Sequence, residues 1–296
     1  MRSGHRSVLI VLVGALAACT SAGGPDLSEM SFSDEPLLGK LVWYDLITDD
    51  AEAAQRFYGG LFGWSFEKTR GPRGNDYYLV RGGGIYLGGV VPVADPGDGS
   101  ELSRWLPYVS VADVDDSVAR ARLEGAEVVV EPLDVGLGRV AAVVDSQGAA
   151  FGLARSEIGD PDDATTAGAP GRVVWAELLA DDAAAAASFY EAVVGYGVRT
   201  VERQGGVYTL LVADGRVRAG ILPNPTDWKP QWLLYFGVAD PAAAAVRAEA
   251  LGGRILLAPT PEVRDGRIAI VSDPSGAVLV LRAWPIADEE IRRWAS

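Results

Sequence analysis

Trp43-Tyr-Asp-Leu-Ile-Thr-Asp-Asp50 returns 132 positions later as Trp175-Ala-Glu-Leu-Leu-Ala-Asp-Asp182, and this repeat sets the architecture of the chain. The motifs that follow recur in the same order and at nearly the same offset. Self-similarity over this length indicates a tandem duplication of one structural unit. The matching pairs are Phe57-Tyr58 with Phe189-Tyr190, Trp105–Tyr108 with Trp232–Tyr235, and Asp145–Ala149 with Asp273–Ala277.

Each copy predicts two βαβββ modules. Residues 41–47 form an apolar, β-branched run typical of a buried strand, and Asp50 then caps a helix over residues 51–61. Three short strands separated by Gly-rich turns follow. The pattern begins again with a strand at residue 105 and a helix that Asp113 caps. The sequence therefore predicts an α+β fold of four βαβββ modules that form two tandem cup-shaped mixed-sheet domains, with helices on one face and a cleft on the other.

Composition limits the classes of function. The 296 residues are 49% hydrophobic and 22% charged, which is typical of a globular protein. The formal net charge of −14 argues against nucleic acid as a partner, because phosphate binding needs a basic surface. The single cysteine excludes an internal disulfide.

The first residues indicate export. A basic start is followed by an apolar run of signal-peptide length over residues 8–18. Leu16-Ala-Ala-Cys19 resembles the lipobox of bacterial lipoproteins, which implies cleavage before Cys19, lipidation of Cys19 and attachment to a bacterial membrane on its extracytoplasmic side. The alternative is that Cys19 is buried in an ordinary N-terminal helix.

The rest of the chain divides by composition and by the repeat. A segment rich in Ser, Gly, Pro and acidic residues predicts a flexible tether, and a second such segment separates the copies. The predicted order is a signal peptide at residues 1–18, the tether at 19–38, a first domain at 39–156, a linker at 157–170, a second domain at 171–284 and a closing helix at 285–296.

The repeated motifs together resemble the vicinal oxygen chelate superfamily, which includes glyoxalase I, bleomycin-resistance proteins and extradiol dioxygenases. The motifs that carry the resemblance are Trp-x-(Asp/Glu)-Leu with Asp-Asp, Phe-Tyr, Gly-(Trp/Tyr), Trp-x-x-Tyr with Val-Ala-Asp, and Asp-(Ser/Pro)-x-Gly-Ala. The resemblance implies that paired modules curl into an open cup whose concave face binds a small molecule. In family enzymes a divalent metal is held there by His, Gln and Glu.

The family's metal ligands have no counterpart in this chain. By motif, the first-strand position falls on Tyr44 and Ala176, and the last-strand position falls on Gly152 and Val280. The only histidine, His5, lies in the predicted signal peptide. We therefore expect no metal and no other cofactor.

Asp45 and Glu177 occupy equivalent places in the two copies and are the candidate catalytic carboxylates. One interpretation makes each a general base or a ligand anchor in its cup. The interpretation we favour is structural. Strand alternation places Asp45 on the face opposite Tyr44, toward the helices, where it bonds to backbone or to Arg139, as Glu177 does with Arg267.

Aromatic residues on the predicted strands are candidates for the wall of a pocket for a flat or apolar ligand. The alternative is ordinary core packing, which we favour for Trp43, Phe57 and Phe189. The candidate ligand-binding residues are Tyr44, Trp105, Tyr108, Trp232 and Tyr235.

Three functions fit these observations. The first is a membrane-anchored lipoprotein, monomer or homodimer, that binds a small organic molecule without metal chemistry. The second is a lyase or oxidoreductase of the glyoxalase or dioxygenase kind that uses a carboxylate or an oxygen-ligated metal. The third is a protein-interaction module.

Overall fold

The computed structural model describes residues 27–28, 30–95, 97, 102–163, 170–203, 206–224 and 228–285. The predicted signal peptide, Cys19 and nearly all of the predicted closing helix lie outside the described residues. Among the helices of the described part, none has the length and apolarity that crossing a membrane requires.

The first copy folds into one eight-stranded mixed sheet with two helices, as predicted. Strand β1 lies at its centre, parallel to β4 and antiparallel to β5, in the order β2-β3-β4-β1-β5-β8-β7-β6. The elements are β1 (Leu41–Thr48), α1 (Ala51–Phe62), β2 (Ser65–Arg70), β3 (Asp76–Gly82), β4 (Ile85–Pro92), β5 (Arg104–Ser110), α2 (Val114–Leu123), β6 (Glu127–Val135), β7 (Gly138–Val144) and β8 (Ala150–Ser156).

The second copy repeats this arrangement with the strand order β10-β11-β12-β9-β13-β16-β15-β14. A single 3₁₀ turn, Arg264–Gly266, precedes its strand β15. The elements are β9 (Val173–Ala180), α3 (Ala183–Val194), β10 (Gly197–Arg203), β11 (Gly206–Ala213), β12 (Arg216–Pro223), β13 (Gln231–Val238), α4 (Pro241–Ala250), β14 (Arg254–Leu257), β15 (Ile268–Ser272) and β16 (Val278–Ala283).

The repeated aspartates begin the helices. A carboxylate oxygen of each accepts backbone N–H bonds from the first turn, which satisfies donors that have no partner inside the helix. Helices α1 and α3 end at Gly63 and Gly195, both in the left-handed conformation that glycine adopts without strain. The four capping residues are Asp50, Asp113, Asp182 and Asp240.

The helices of both copies share one hydrophobic core between the two sheets. Helix α2 contacts α3, and α1 contacts α4. Each of these helices packs against the face of its sheet that lies away from the cup. An amphipathic helix and a sheet bury apolar surface together in this way. Separate apolar clusters, one for each sheet, line the two cups.

Two equivalent hydrogen-bonded chains cross from one copy to the other. The Tyr58 hydroxyl donates to Oδ2 of Asp273 at 3.2 Å and accepts from the Trp105 indole at 3.1 Å. The Tyr190 hydroxyl donates to Oδ2 of Asp145, also at 3.2 Å, and it likewise accepts from a tryptophan of its own copy. The Phe-Tyr and Asp-x-x-Gly-Ala motifs therefore join the two domains.

Part of the expected flexible tether is ordered against the first domain, which corrects that prediction. Phe32 forms an isolated antiparallel bridge with Pro161, and the backbone N–H of Ser33 donates to the carbonyl of Asp160. Leu27 and Met30 pack against the apolar cluster of the first cup. The apolar residues in this acid-rich segment gain from covering apolar surface that water would otherwise contact.

Candidate ligand-binding cups

Asp45 faces the inside of the first cup, not the helices. In the register of β1 and β5, Asp45 lies opposite Leu106 and Trp43 lies opposite Tyr108. Residues opposite each other in antiparallel strands share a face, and Trp43, Leu106 and Tyr108 all belong to the apolar cluster of the cup. The predicted alternation with Tyr44 is right, but the predicted direction is wrong.

The Asp45 carboxylate is fully buried and only partly hydrogen-bonded. Its Oδ1 accepts from the Trp43 indole at 2.9 Å and from the Tyr77 hydroxyl at 2.8 Å. Within the described residues, its Oδ2 and the hydroxyl of Tyr108 have no hydrogen-bond partner. A buried polar atom without a partner is costly, so these two atoms mark a place where a further polar group would be stabilising. Arg139, the expected partner, instead pairs with Asp115 and Asp134.

Two glycines place the tyrosines around Asp45. A Cβ at Gly89 would lie 1.9 Å from the Tyr77 hydroxyl oxygen, so only glycine lets that ring cross the sheet and reach the carboxylate. A Cβ at Gly152 would lie 2.1 Å from the Tyr108 ring. The missing side chain lets the Tyr108 ring lie over β8.

Burial raises the pKa of Asp45 to about 6, against the opposing effect of the polar side chains of Tyr77, Trp43 and Tyr108. Burial also raises the pKa of Tyr77 and of Tyr108 well above the usual value, and the negative charge of Asp45 adds to this. Near neutral pH the cup thus holds one carboxylate close to its titration range and two neutral phenols. Such a carboxylate can accept a proton or bind a hydrogen-bond donor.

An apolar cavity opens beside these residues. About 780 Å³ of space lies free of protein atoms there, open solvent included. Trp43 and Tyr108 connect this cavity to Asp45, since both line it and Trp43 donates to the carboxylate. Other lining residues come from the N-terminal segment, β3, β4 and β7, and they include Leu27, Met30, Leu79, Tyr86 and Val140.

The second cup has a carboxylate at the equivalent place, and side chains of the same cup supply hydrogen bonds to both of its oxygens. Oε1 of the fully buried Glu177 accepts from the Trp175 indole at 3.2 Å, from the Tyr208 hydroxyl and from the Arg264 guanidinium at 2.5 Å. Oε2 accepts from the Tyr235 hydroxyl. Burial acts to raise the pKa of Glu177, but the charge of Arg264 and these hydrogen bonds outweigh it and lower the pKa.

Three substitutions between the copies account for the difference. Arg264 stands where the first copy has Gly136, at the offset that aligns Gly266-Arg267 with Gly138-Arg139. The other two lie on the last strand of each copy, where Val280 replaces Gly152 and a fully buried Arg282 replaces Ala154. The second cup is therefore filled by its own side chains.

Of the predicted ligand-binding residues, Tyr108 and Tyr235 lie in the cups, whereas the expected position is wrong for the other three. The Trp105 and Trp232 indoles donate to the tyrosines that join the domains. Tyr44 borders a smaller apolar pocket between the domains, together with Trp105. Trp43 was assigned to core packing but lines the first cup. Tyr77 and Tyr208 are strand aromatics that the repeat aligns, but they were not among the candidate ligand-binding residues, and Arg264 was missed.

The donor set of the cups does not fit a divalent metal. Across the described ranges, no three His, Cys, Asp or Glu side chains converge. Asp45 and Glu177 each have indole and phenol groups as polar neighbours, and Glu177 also has the Arg264 guanidinium. The metal sites of proteins are built from several imidazole, thiolate or carboxylate ligands at converging positions.

Comparison with known proteins agrees with this architecture. The model of the Glyoxalase/Bleomycin resistance protein/Dioxygenase superfamily matches residues 40–164 and again 172–281. The chain is 35% identical over 250 residues to the provisionally named glyoxylase CFP32 of Mycobacterium tuberculosis (strain CDC 1551 / Oshkosh), with 82% of this chain and 94% of that protein covered. It is 33% identical over 267 residues to the anthracycline biosynthesis protein DauV of Streptomyces sp. (strain C5), with 84% and 96% covered.

Solved structures share the fold at low sequence identity. The Mn(II)-bound glyoxalase from Novosphingobium aromaticivorans superposes with a TM-score of 0.56 at 18% identity, over 82% of this chain and 81% of that one. The 2,2',3-trihydroxybiphenyl 1,2-dioxygenase from Sphingomonas wittichii strain RW1 gives a TM-score of 0.53 at 18% identity, over 83% and 90%. With the family model matched in both repeats, the chain belongs to the glyoxalase/bleomycin resistance protein/dioxygenase superfamily.

Proposed function

We propose that the protein binds a small organic molecule in its first cup without metal chemistry. The observation that carries this proposal is the apolar cavity beside a fully buried carboxylate, where Asp45 Oδ2 and the Tyr108 hydroxyl have no hydrogen-bond partner within the described residues. Apolar walls with a few polar atoms are the usual composition of a small-molecule site. The second cup serves as a structural counterpart that keeps the duplicated core intact.

Filling the cavity tests this proposal. Ala154 lines the cavity and is almost fully buried, so Ala154→Phe would occupy the space that a ligand needs. We expect a thermal-stability screen of aromatic and apolar compounds to give hits with the full chain that Ala154→Phe abolishes. Val246→Phe is the matched control, because Val246 is exposed on α4. The milder Ala154→Val covers the case in which the larger variant does not fold, and hits that both Ala154 variants retain would contradict the assignment to this cup.

We also propose that lipid on Cys19 anchors the protein to a bacterial membrane on its extracytoplasmic side. The support is the sequence, where the only cysteine follows Leu16-Ala-Ala at the end of an apolar run of signal-peptide length. Mass spectrometry of the membrane-extracted protein should find a diacylated N-terminal Cys19. Cys19→Ser should remove the lipid, and a chain that stays acylated in this variant would contradict the proposal.

A carboxylate-dependent enzyme is the second candidate. The observation that favours it is the pKa of Asp45, which burial raises to about 6, close to the value that suits a general base at neutral pH. The name of CFP32 as a glyoxylase points the same way. If a compound found in the screen is converted, Asp45→Asn should abolish turnover while leaving the fold intact. An unchanged rate would remove Asp45 as the base.

A further inference from the structure

Arg264 gives the second cup an internal cation. Its guanidinium pairs with Glu177 at 2.5 Å and lies 5.7 Å from the centre of the Tyr208 ring. A positive group over a tyrosine face and against a buried carboxylate combines cation–π attraction with a charge-assisted hydrogen bond. Arg264 and the following Asp265 both have positive φ values of 52° and 55°, which non-glycine residues rarely adopt. The backbone thus accepts strain where Arg264 enters the cup.

The first cup has the same receptor groups but, among the described residues, no cation at the place of Arg264. Trp43, Tyr77 and Tyr108 surround Asp45 as Trp175, Tyr208 and Tyr235 surround Glu177. Gly136 stands in the place of Arg264 and contributes no side chain. Among the described residues, Oδ2 of the fully buried Asp45 and the Tyr108 hydroxyl have no hydrogen-bond partner.

We propose that the ligand of the first cup is a cation, an amine or amidine on an aromatic or apolar body, whose charged group binds Asp45 as the Arg264 guanidinium binds Glu177. This inference rests on the proposed function and names the class of ligand. The cation supplies the donor that Asp45 Oδ2 lacks, and the apolar body fills the cavity between Met30, Tyr86 and Val140. A neutral ligand would leave the buried charge uncompensated, and an anion would repel it.

The other charged groups at the cavity are consistent with this assignment. Asp160 lines the cavity and is buried, and its Oδ2 already accepts from the Ser110 hydroxyl at 2.6 Å and from the Leu37 backbone N–H at 2.8 Å. Arg155, near the end of β8, also lines the cavity and is partly exposed. Asp160 and Arg155 carry opposite charges, so Asp45, which lies behind Trp43 and Tyr108, is the group that selects the charge of a ligand.

Three probes of similar shape test the charge preference: 2-naphthylmethylamine, 2-naphthylmethanol and 2-naphthylacetate. We expect calorimetry at pH 7.5 with the full chain in non-ionic detergent to show at least tenfold tighter binding of the amine than of the alcohol. The acetate should bind more weakly than both. Asp45→Asn should abolish the preference, whereas Asp134→Asn, which removes an exposed carboxylate of the same domain, should preserve it.

A further variant tests whether the Arg264 guanidinium occupies the place that a ligand's cation would take in the first cup. A triple variant, Arg264→Gly with Val280→Gly and Arg282→Ala, gives the second cup the residues of the first at the three positions that fill it. The number of amine molecules bound should then rise from one to two for each chain. If the triple variant does not fold, the Asp45→Asn comparison alone decides.

The outcomes separate this inference from the proposed function. Equal binding of the three probes, in a manner that Ala154→Phe abolishes, would overturn the cation and keep the cup as a binding site. Failure of all three probes to bind would overturn the cation inference, and the wider compound screen would then decide the proposed function. Amine selectivity that persists in Asp45→Asn would also overturn the inference.

Discussion

The two cups differ in how they satisfy the same buried carboxylate. The second cup surrounds Glu177 with donors from its own strands and with Arg264, and the pKa of Glu177 is lowered. The first cup surrounds Asp45 with fewer donors and no cation, and the pKa of Asp45 is raised to about 6. One duplicated backbone thus carries a closed, self-paired cup and an open cup with an apolar cavity.

The difference depends on side-chain volume and charge at three equivalent positions. Gly136, Gly152 and Ala154 leave space in the first copy, while Arg264, Val280 and Arg282 fill it in the second. Glutamate is also longer than aspartate by one methylene group, which helps Glu177 reach the Tyr235 hydroxyl. An open site therefore needs no change in topology, since a fold can gain or lose a pocket through its side chains.

The largest expected effect is the loss of the internal ion pair. Glu177→Gln leaves the Arg264 guanidinium partly buried without a carboxylate, so we expect the free energy of unfolding to fall by about 3–5 kcal/mol. Chemical denaturation at neutral pH measures it. Glu52→Gln, at an exposed position on α1, should change stability little. A small effect of Glu177→Gln would mean that the second cup does not depend on its buried ion pair for stability. The proposed difference between the two cups would then be wrong.

Replacing the carboxylate of the first cup is expected to raise the free energy of unfolding, not to lower it. The folded protein holds the Asp45 proton up to about pH 6, whereas the unfolded chain releases it near pH 4, so burial of the charge lowers stability as pH rises between these values. Asp45→Asn removes the charge and keeps the hydrogen bonds with Trp43 and Tyr77. We expect the variant to be about 1–3 kcal/mol more stable than wild type at pH 7.5 and equal to it below pH 4. Denaturation curves at both pH values decide this, and destabilisation at pH 7.5 would contradict it.

Acid should weaken binding of the naphthylmethylamine probe. The polar groups around Asp45 are Trp43 on its own strand and Tyr77 and Tyr108 on other strands of the sheet, and none of these titrates in the acid range. Protonation of Asp45 below about pH 6 removes the charge that binds the amine, and we expect about tenfold weaker binding for each pH unit well below that value. Calorimetry from pH 4.5 to 7.5 measures the profile. A flat profile would place the amine away from Asp45.

The smallest expected effect concerns the links between the domains. Tyr58→Phe and Tyr190→Phe each remove a hydroxyl that bonds to a tryptophan and to an aspartate of the other copy. We expect each variant to lose about 1 kcal/mol of stability, the typical net value of a buried hydrogen bond. Equal losses of stability in the two variants would show that the hydrogen bonds between the domains are equivalent. The difference between the copies would then be confined to the cups. Denaturant titration of both variants compares them directly.

The repeat made much of the fold predictable. Local signals are strong in this chain: apolar β-branched runs mark the strands, and Asp50 and Asp182 mark helix starts through hydrogen bonds made within one turn. Glycines such as Gly63 mark helix ends. The bounds of the predicted α1, at residues 51–61, differ from the observed ones by one residue.

The candidate site was harder to predict. The period of a strand gave the correct relation between Tyr44 and Asp45, which lie on opposite faces, but it could not say which face becomes the cup. That depends on where the helices pack, a long-range property of the sheets. For the same reason Trp105 and Trp232 were placed in the cups although they join the domains.

The amino-acid pattern fixed the duplication, the modules, the capping residues and the presence of one carboxylate at the same place in each copy, because these depend on local spacing and on chemical identity. The packing of strands and loops distant in sequence decided that Arg264 pairs with Glu177 and that Gly136 leaves Asp45 without such a partner. Residues 87 positions apart, as Arg264 and Glu177 are, meet only when the sheet has closed. The spacing of residues along the chain therefore does not predict that contact.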